Sequence, residues 1–382
     1  TTNVNILFIT HHPELHGSIR SLLDLTDGLQ KYGVRPFFVI PAEGSFSSAL
    51  QEKQLPYAIM SVPYWLSHRP LSWREKAQRI KQIRHAAQYL IPIISDQHIN
   101  LVYTNTSASP IGALAARKAS LPHIWHLREG AYPDFHLRSI LSNGWIARFL
   151  HNSGTIICNS EAVARSHFGN NLRGIYVVHN AVATQSQFED RLHLRHESFK
   201  PDGFTFVMPS NYQPQKGQEQ ALRALAILHA RGISARLVLA GNSKEPYLTQ
   251  LHALSKELGI EQSVAFLPFT EDPLTLYYSS NCALVCSEYE ALSRVALEAM
   301  SCGLPVIGRN SGGTPEIILH AQTGYLYDNF DGLVESMATL AQNPELCQQM
   351  GLAGWARARE LFNTEDCAAK VFEIIQSVVN KA

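Results

Sequence analysis

Residues 286–307 read CSEYEALSRVALEAMSCGLPVI, the end of one strand, a short loop, a helix and the start of the next strand. The spacing predicts a helix over residues 293–301, with Val295, Leu297, Ala299 and Met300 on its apolar side and Gly303 and Pro305 ending it. Two carboxylates punctuate the stretch, Glu290 at the mouth of the helix and Glu298 within it. Eight residues of helix rise about 12 Å, so the two groups can hold the two ends of one extended ligand. Between them lie the first-turn N–H groups and the positive end of the helix dipole, which suit a phosphate.

The ligand implied by that layout has a hydroxyl-bearing group, a charged middle and a second hydroxyl-bearing group, as in a nucleoside diphosphate sugar. An isolated E-x7-E spacing reads more simply as a solvated amphipathic helix, and here the context decides. The segment resembles the signature of the retaining glycosyltransferases of family GT4, with Glu290 and Glu298 as its pair, followed by EAMSCGLPVI and by GGTPEII at residues 312–318. The resemblance implies that Glu290 contacts the donor sugar, that Glu298 contacts the nucleotide ribose, and that Ala291, Leu292, Ser293 and Arg294 lie along the donor. Ser293 stands where the family usually has Gly.

Length and composition fit that reading. A chain of 382 residues exceeds one usual core, so two domains are expected. No run of about 18 uncharged apolar residues occurs, and residues 3–5 precede the first strand without a basic leader, so neither membrane insertion nor secretion is expected. Six scattered cysteines without a C-x-x-C pair fit reduced core thiols in a cytoplasm rather than a zinc site. Net charge is zero, yet residues 1–180 carry 17 Lys and Arg against 10 Asp and Glu, leaving 15 against 22 for the rest. That asymmetry points the N-terminal half toward something anionic, a membrane surface or a phosphate-bearing acceptor, and no nucleic-acid partner is expected.

Along the chain, residues 4–10 (VNILFIT) read as a buried strand, residues 11–18 as a loop, and Ile19, Leu22, Leu23 and Leu29 as the face of a helix before the strand at residues 35–41. The β-α-β spacing predicts a parallel, doubly wound sheet. His12 and His16 flank a proline, which spoils a helical metal pair, so the loop reads as a ligand or acceptor edge, with His16-Gly17 where the family usually has two glycines. Residues 73–94 form a basic amphipathic helix with Arg74, Lys76, Arg79, Lys81, Arg84 and His85 off the apolar side. Two roles fit it: the solvated face of a layer helix, or peripheral contact with an anionic membrane, to which Trp65, His68 and Arg69 would add.

The resemblance further implies that His126, near the end of the strand at residues 123–127, faces the donor sugar as a catalytic-centre residue. Arg128 and Glu129 continue it as H-x-R-E, a pattern of subgroups acting on bacterial surface polysaccharides. A plain hydrogen-bonded strand-end histidine is the other reading. In the second half, Lys216 matches the lysine of the family's diphosphate clamp, whereas Asn211 and Ser210 stand where Arg and Gly are usual. Asn211 can bond a phosphate but brings no charge, and Arg294 is the replacement cation, against a merely solvated role. Leu267 and Phe269 hold the position of the nucleobase loop. No D-x-D occurs, so no metal ion or other cofactor is expected.

The expected fold class is therefore α/β of GT-B architecture, two Rossmann-like doubly wound parallel-sheet domains facing a cleft. Their limits are residues 1–182 on the acceptor side, a linker at 183–203, residues 204–362 for the nucleotide sugar, and a helix at 363–382 crossing back. The expected reaction is retaining transfer of a hexose from a UDP-sugar, with UDP-glucose as first candidate, to a lipid-linked or saccharide acceptor in polysaccharide biosynthesis. With no second carboxylate evident as nucleophile, departure and attack on one face of the sugar is expected. An epimerase or phosphorylase on the same fold, and a non-catalytic sugar-nucleotide-binding protein, are the alternatives. An NAD enzyme lacks its G-x-G-x-x-G after the first strand.

Overall fold

The computed structural model describes residues 3–67, 69–131, 138–199, 203–243 and 245–381. The chain divides into two compact units, residues 1–181 with 364–382, and residues 182–363. Each is a parallel α/β layer, the class that the alternation of buried strands and amphipathic helices predicts.

The first unit holds a seven-stranded sheet in the order Tyr57–Ile59, Val34–Ile40, Val4–Ile9, Leu101–Thr104, His123–Leu127, Thr155–Cys158, Ile175–Val177. All its pairings are parallel. The order doubles back at Val4–Ile9 and Leu101–Thr104, so these strands and their neighbours converge at the carboxyl edge where such sheets place ligands. Helix Gly17–Gln30 buries Ile19, Leu22, Leu25 and Leu29 on one face, each side chain worth roughly 1.5–3 kcal/mol of apolar burial. The C-terminal helix Thr364–Val379 packs against it in the same unit, with Phe372 stacked on Tyr32 at 4.8 Å between ring centroids. Helix Trp73–Asp96 begins with a capping box in which Ser72 Oγ accepts from the Glu75 amide and Glu75 accepts from the Ser72 amide.

The second unit holds six parallel strands in the order Val264–Leu267, Ala235–Ala240, Phe204–Pro209, Cys282–Val285, Val306–Arg309, Gly324–Tyr327. One core cluster joins the sheet to helices Gln218–Ala230 and Phe330–Gln342, and another joins it to helix Arg294–Ser301.

Two expectations need correction here. The stretch 183–203 is not a linker: it forms helix Gln185–Ser198, packed within the second unit, and residues 200–202 lie outside the described residues. Phe188 is its one fully buried side chain, the Phe188 carbonyl accepts from Trp355 Nε1 at 2.9 Å, and Arg191 donates to Ser301 Oγ at 2.8 Å. A helix docked by one aromatic ring and by polar bonds carries no apolar period for a sequence reading to find. Trp65 is not a surface anchor either: it is 2% exposed and donates to the Ser107 carbonyl at 2.7 Å. Arg69 pairs with Glu75, and His68 lies outside the described residues.

Candidate functional site

The loop after strand Cys282–Val285 carries Glu290, and the loop after strand Phe204–Pro209 carries Lys216, so two neighbouring strands deliver opposite charges to one carboxyl edge. Lys216 Nζ donates to Glu290 Oε1 at 2.6 Å, and Ser287 Oγ donates to the same oxygen at 2.6 Å. The two loops are stitched by the Glu288 amide donating to the Gln215 carbonyl at 2.9 Å. Gly217, at φ +79°, makes this approach possible, since a Cβ there would meet the Cys286 carbonyl oxygen at 2.4 Å. Gly312, at φ +57°, lies as close to the Glu290 backbone, whose carbonyl accepts from the Gly313 amide at 2.8 Å. Burial alone would push the Glu290 carboxyl up, but the Lys216 charge and the hydrogen bonds from Lys216 and Ser287 outweigh it and hold the group below the usual carboxylate range.

Helix Arg294–Ser301 follows, with Ser293 as its N-cap. Ser293 Oγ accepts from the Ala296 amide at 3.3 Å, so that first-turn N–H is spent on the cap rather than left open. Glu298 is 8% exposed; Oε1 accepts from Arg294 Nε at 2.6 Å, and Oε2 accepts from Tyr277 Oη at 3.4 Å. Burial, and next the Glu298 charge, push the Tyr277 hydroxyl well up, which keeps it a donor. Arg294, expected as a phosphate cation beside a ribose-binding Glu298, is thus bonded to that same carboxylate. Ala291 and Leu292 have buried side chains and offer a ligand only their backbone.

Asn211 is occupied differently from the expectation of a phosphate contact: its side-chain oxygen accepts from the Asn242 amide at 3.2 Å and its carbonyl accepts from Gln218 Nε2 at 2.8 Å. Beside it, Tyr212 is buried and its hydroxyl lies 3.0 Å from the Leu239 carbonyl and 2.9 Å from that of Leu267. This fixes the loop after Leu267, on which Phe269 is 43% exposed.

In the first unit, His16 is exposed and precedes helix Gly17–Gln30 as its N-cap without a side-chain bond, and Gly17 is the first helical residue. His126 has the geometry of the second reading, a hydrogen-bonded strand-end histidine. It is 1% exposed, packs with Tyr103, whose hydroxyl lies 2.5 Å from its Nδ1, and its Nε2 is enclosed with no partner. Burial, with the Arg128 charge beside it, pushes its pKa far below the ordinary histidine value. Alternation along strand His123–Leu127 turns His126 to the same face as Ile124, into the core beneath the helices. Arg128 is buried too, donating to Asn105 Oδ1 at 2.9 Å and to Asn180 Oδ1. Glu129 reaches the carboxyl edge, where it accepts from the Ser107 amide at 2.9 Å.

Ser287 and Tyr277, partners of the two glutamates, were not expected. Ser287 lies three residues before Glu290, the spacing of a local side-chain bond, whereas nothing in the sequence marks Tyr277. Among the described residues no group of three or more His, Cys, Asp or Glu is placed to hold a metal ion. No helix of the described residues is long and apolar enough to cross a membrane.

Residues 16–186 match the family model described as Glycosyltransferase Family 4, and residues 190–356 match that of Glycosyl transferases group 1. The N-acetyl-alpha-D-glucosaminyl L-malate synthase of Bacillus anthracis is 34% identical over 172 residues, 44% of each chain. A GDP-mannose-dependent alpha-(1-6)-phosphatidylinositol monomannoside mannosyltransferase of Mycolicibacterium smegmatis is 33% identical over 163 residues, 39% of this chain and 42% of that one. The chain thus matches under half the length of these curated relatives. The crystal structure of Anabaena Alr3699/HepE in complex with UDP shares the fold with a TM-score of 0.78, at 22% identity over 98% of this chain and 100% of that one.

Proposed function

We propose, for a chain that belongs to the group 1 glycosyltransferases, that it moves a hexose with retained configuration from a UDP-sugar to a lipid-linked or saccharide acceptor. The observation that carries the reading is the pairing of Lys216 with Glu290 and of Arg294 with Glu298 at one sheet edge, two carboxylates each beside a cation. Glu290 takes the donor sugar's hydroxyls, Glu298 the ribose hydroxyls, and Lys216 with Arg294 faces the diphosphate. Leu267 and Phe269 border the base. UDP as the nucleotide is supported by the fold it shares with a protein crystallised with UDP and with UDP-glucose.

In the reaction, the bond from the anomeric carbon to the diphosphate oxygen breaks and the bond from the acceptor oxygen to that carbon forms on the same face. The acceptor's hydroxyl proton passes to the departing diphosphate. Charge grows on that diphosphate toward the transition state, where a lysine fixed by its neighbour helps most. No metal ion or other cofactor has a part in this proposal.

The first unit is the acceptor side, acting at the cytoplasmic face of a membrane in polysaccharide biosynthesis. Helix Trp73–Asp96 supports that setting: Trp73 is 74% and Tyr89 60% exposed, on a surface shared with Arg74, Lys81 and Arg84. The test is turnover by purified protein with UDP-glucose, UDP-N-acetylglucosamine and GDP-mannose, with the product anomer read by proton NMR. Release of UDP with an axial product linkage is expected; no nucleotide release from any donor, or an inverted product, would overturn the reading.

A further inference from the structure

Helix Pro344–Leu361 braces two segments of the second unit at once. On one side it lies against helix Arg294–Ser301, which bears Glu298: a Cβ on Gly351 would meet the Gly303 carbonyl oxygen at 2.1 Å, and one on Gly354 would lie 3.5 Å from Met300 Cγ. On the other side Arg357 Nε donates to the Ile317 carbonyl and Nη2 to the Glu316 carbonyl, both at 3.0 Å. Those are the last carbonyls of the one-turn helix Thr314–Ile317, and the last carbonyls of a helix have no amide partner within it.

The short helix leads directly to Glu290. Gly313, just before it, donates its amide to the Glu290 carbonyl at 2.8 Å, and Ser311 Oγ donates to the Glu288 carbonyl at 2.8 Å. A Cβ on Gly312 would meet the Glu290 carbonyl oxygen at 2.2 Å, so the two backbones touch without slack. Between this contact and the Arg357 clamp lie Thr314, 2% exposed, and Ile317, fully buried. A segment packed this closely passes a displacement at one end on to the other. Lys216 and Ser287 fix the Glu290 carboxylate from in front, and residues 311–313 fix its main chain from behind.

We infer that Arg357 is a positioning residue: by clamping the end of helix Thr314–Ile317 to the helix that also backs Glu298, it sets the place of Glu290 relative to Glu298. The donor's sugar end is thereby held in register with its nucleotide end. The inference rests on the reading of Glu290 as the sugar-binding carboxylate and adds to it a guanidinium behind the site. Both of its bonds are charge-assisted, and a methionine of similar length offers neither. A group that orients a substrate loses much of its effect when it shifts by a fraction of an ångström to an ångström.

The test compares wild type, Arg357→Met, Arg357→Lys, Glu290→Gln and the double variant Arg357→Met with Glu290→Gln. UDP release from UDP-glucose gives kcat/KM, calorimetry gives UDP affinity, and the melting temperature is the folding control. Arg357→Met should lower kcat/KM about tenfold and leave UDP affinity within about twofold, because UDP carries no sugar for Glu290 to hold. Arg357→Lys, which can keep one of the two bonds, should retain more activity than Arg357→Met. In the Glu290→Gln background the further change Arg357→Met should cost less than about twofold, since the group it positions is already gone. Full activity in Arg357→Met, a further tenfold loss in the double variant, or UDP affinity falling as far as turnover would each overturn the inference. Full activity in Glu290→Gln, or no UDP release by the wild type, would instead remove the reading of Glu290 on which it rests.

Discussion

Lys216 and Glu290, 74 positions apart in the chain, meet at 2.6 Å between Nζ and Oε1, on loops from adjacent strands of the second sheet. The contact is only a quarter exposed, so it is worth more than a surface ion pair, and breaking it leaves the remaining charge poorly solvated.

Glu290→Gln keeps the shape of the side chain and removes its charge. It should lower kcat/KM by roughly ten- to a thousandfold while Lys216 stays in place, because a sugar hydroxyl then meets a neutral amide. Steady-state kinetics on the folded variant, with its melting temperature as control, is the check; full activity would dissociate Glu290 from the donor sugar.

The same pair sets a pH dependence. The Glu290 pKa is lowered in the folded protein, so the stability it contributes is present above the unfolded value of about 4.3 and is lost as pH falls through the folded value. The difference in melting temperature between wild type and Lys216→Met should therefore be largest near neutrality and shrink below about pH 4. A difference that stays constant down to pH 3 would mean the pair is not what stabilises the edge.

Buried neutral histidines also lose stability as pH falls, but starting from a higher pH. His123 is lowered to about 3 by burial, and His11 to about 4, against an unfolded value of about 6.5. The unfolded chain binds these protons first, so stability is full above pH 6.5 and falls as pH drops toward 4, by about 2 kcal/mol per histidine between pH 6.5 and 5. His123→Gln, which can keep a bond to Thr104, now 2.8 Å from Nε2, should flatten the slope of urea stability against pH. An unchanged slope would assign the acid sensitivity elsewhere.

Helix Trp73–Asp96 should bring the protein to vesicles containing anionic lipid at low salt and release it at high salt. Replacing the exposed rings, Trp73→Ala with Tyr89→Ala, should weaken retention without changing the melting temperature. Equal binding to neutral and anionic vesicles would leave the basic face as a solvated surface.

How far the sequence carried this account differs by residue. Helix Arg294–Ser301 was legible because its apolar spacing, its cap Ser293 and its stop at Gly303 agree on one element. Lys216 was legible only through the family motif it matches; that Gly217 after it allows two loops to approach shows in the structure alone. Helix Gln185–Ser198 was not, since one buried phenylalanine makes no period. For His126 two readings stayed open because HIWHL is buried on both faces, and in such a strand polarity does not say which side chain reaches the edge. Arg294 was legible as a cation at the helix start, but its bond to Glu298 depends on a rotamer, not on spacing alone.

That bond makes Arg294 and Glu298 a coupled pair. Loss of one diphosphate cation can cost about 3 kcal/mol, roughly a hundredfold in rate, so Arg294→Ala should cut kcat more than it raises KM, and Asn211→Arg should partly restore it. Retained kcat in Arg294→Ala would leave Lys216 to act with backbone amides alone.

The central claim is that the edge bearing Glu290 and Glu298 grips a nucleoside diphosphate sugar. Calorimetric titration of UDP into wild type and Glu298→Ala tests it most directly, since UDP carries the ribose and the diphosphate but no sugar. The wild type should bind, and Glu298→Ala should bind more weakly by about 1.5–3 kcal/mol, the range for a hydrogen bond to a charged group. Equal affinity in the two folded proteins, or no binding of UDP by the wild type, would contradict it.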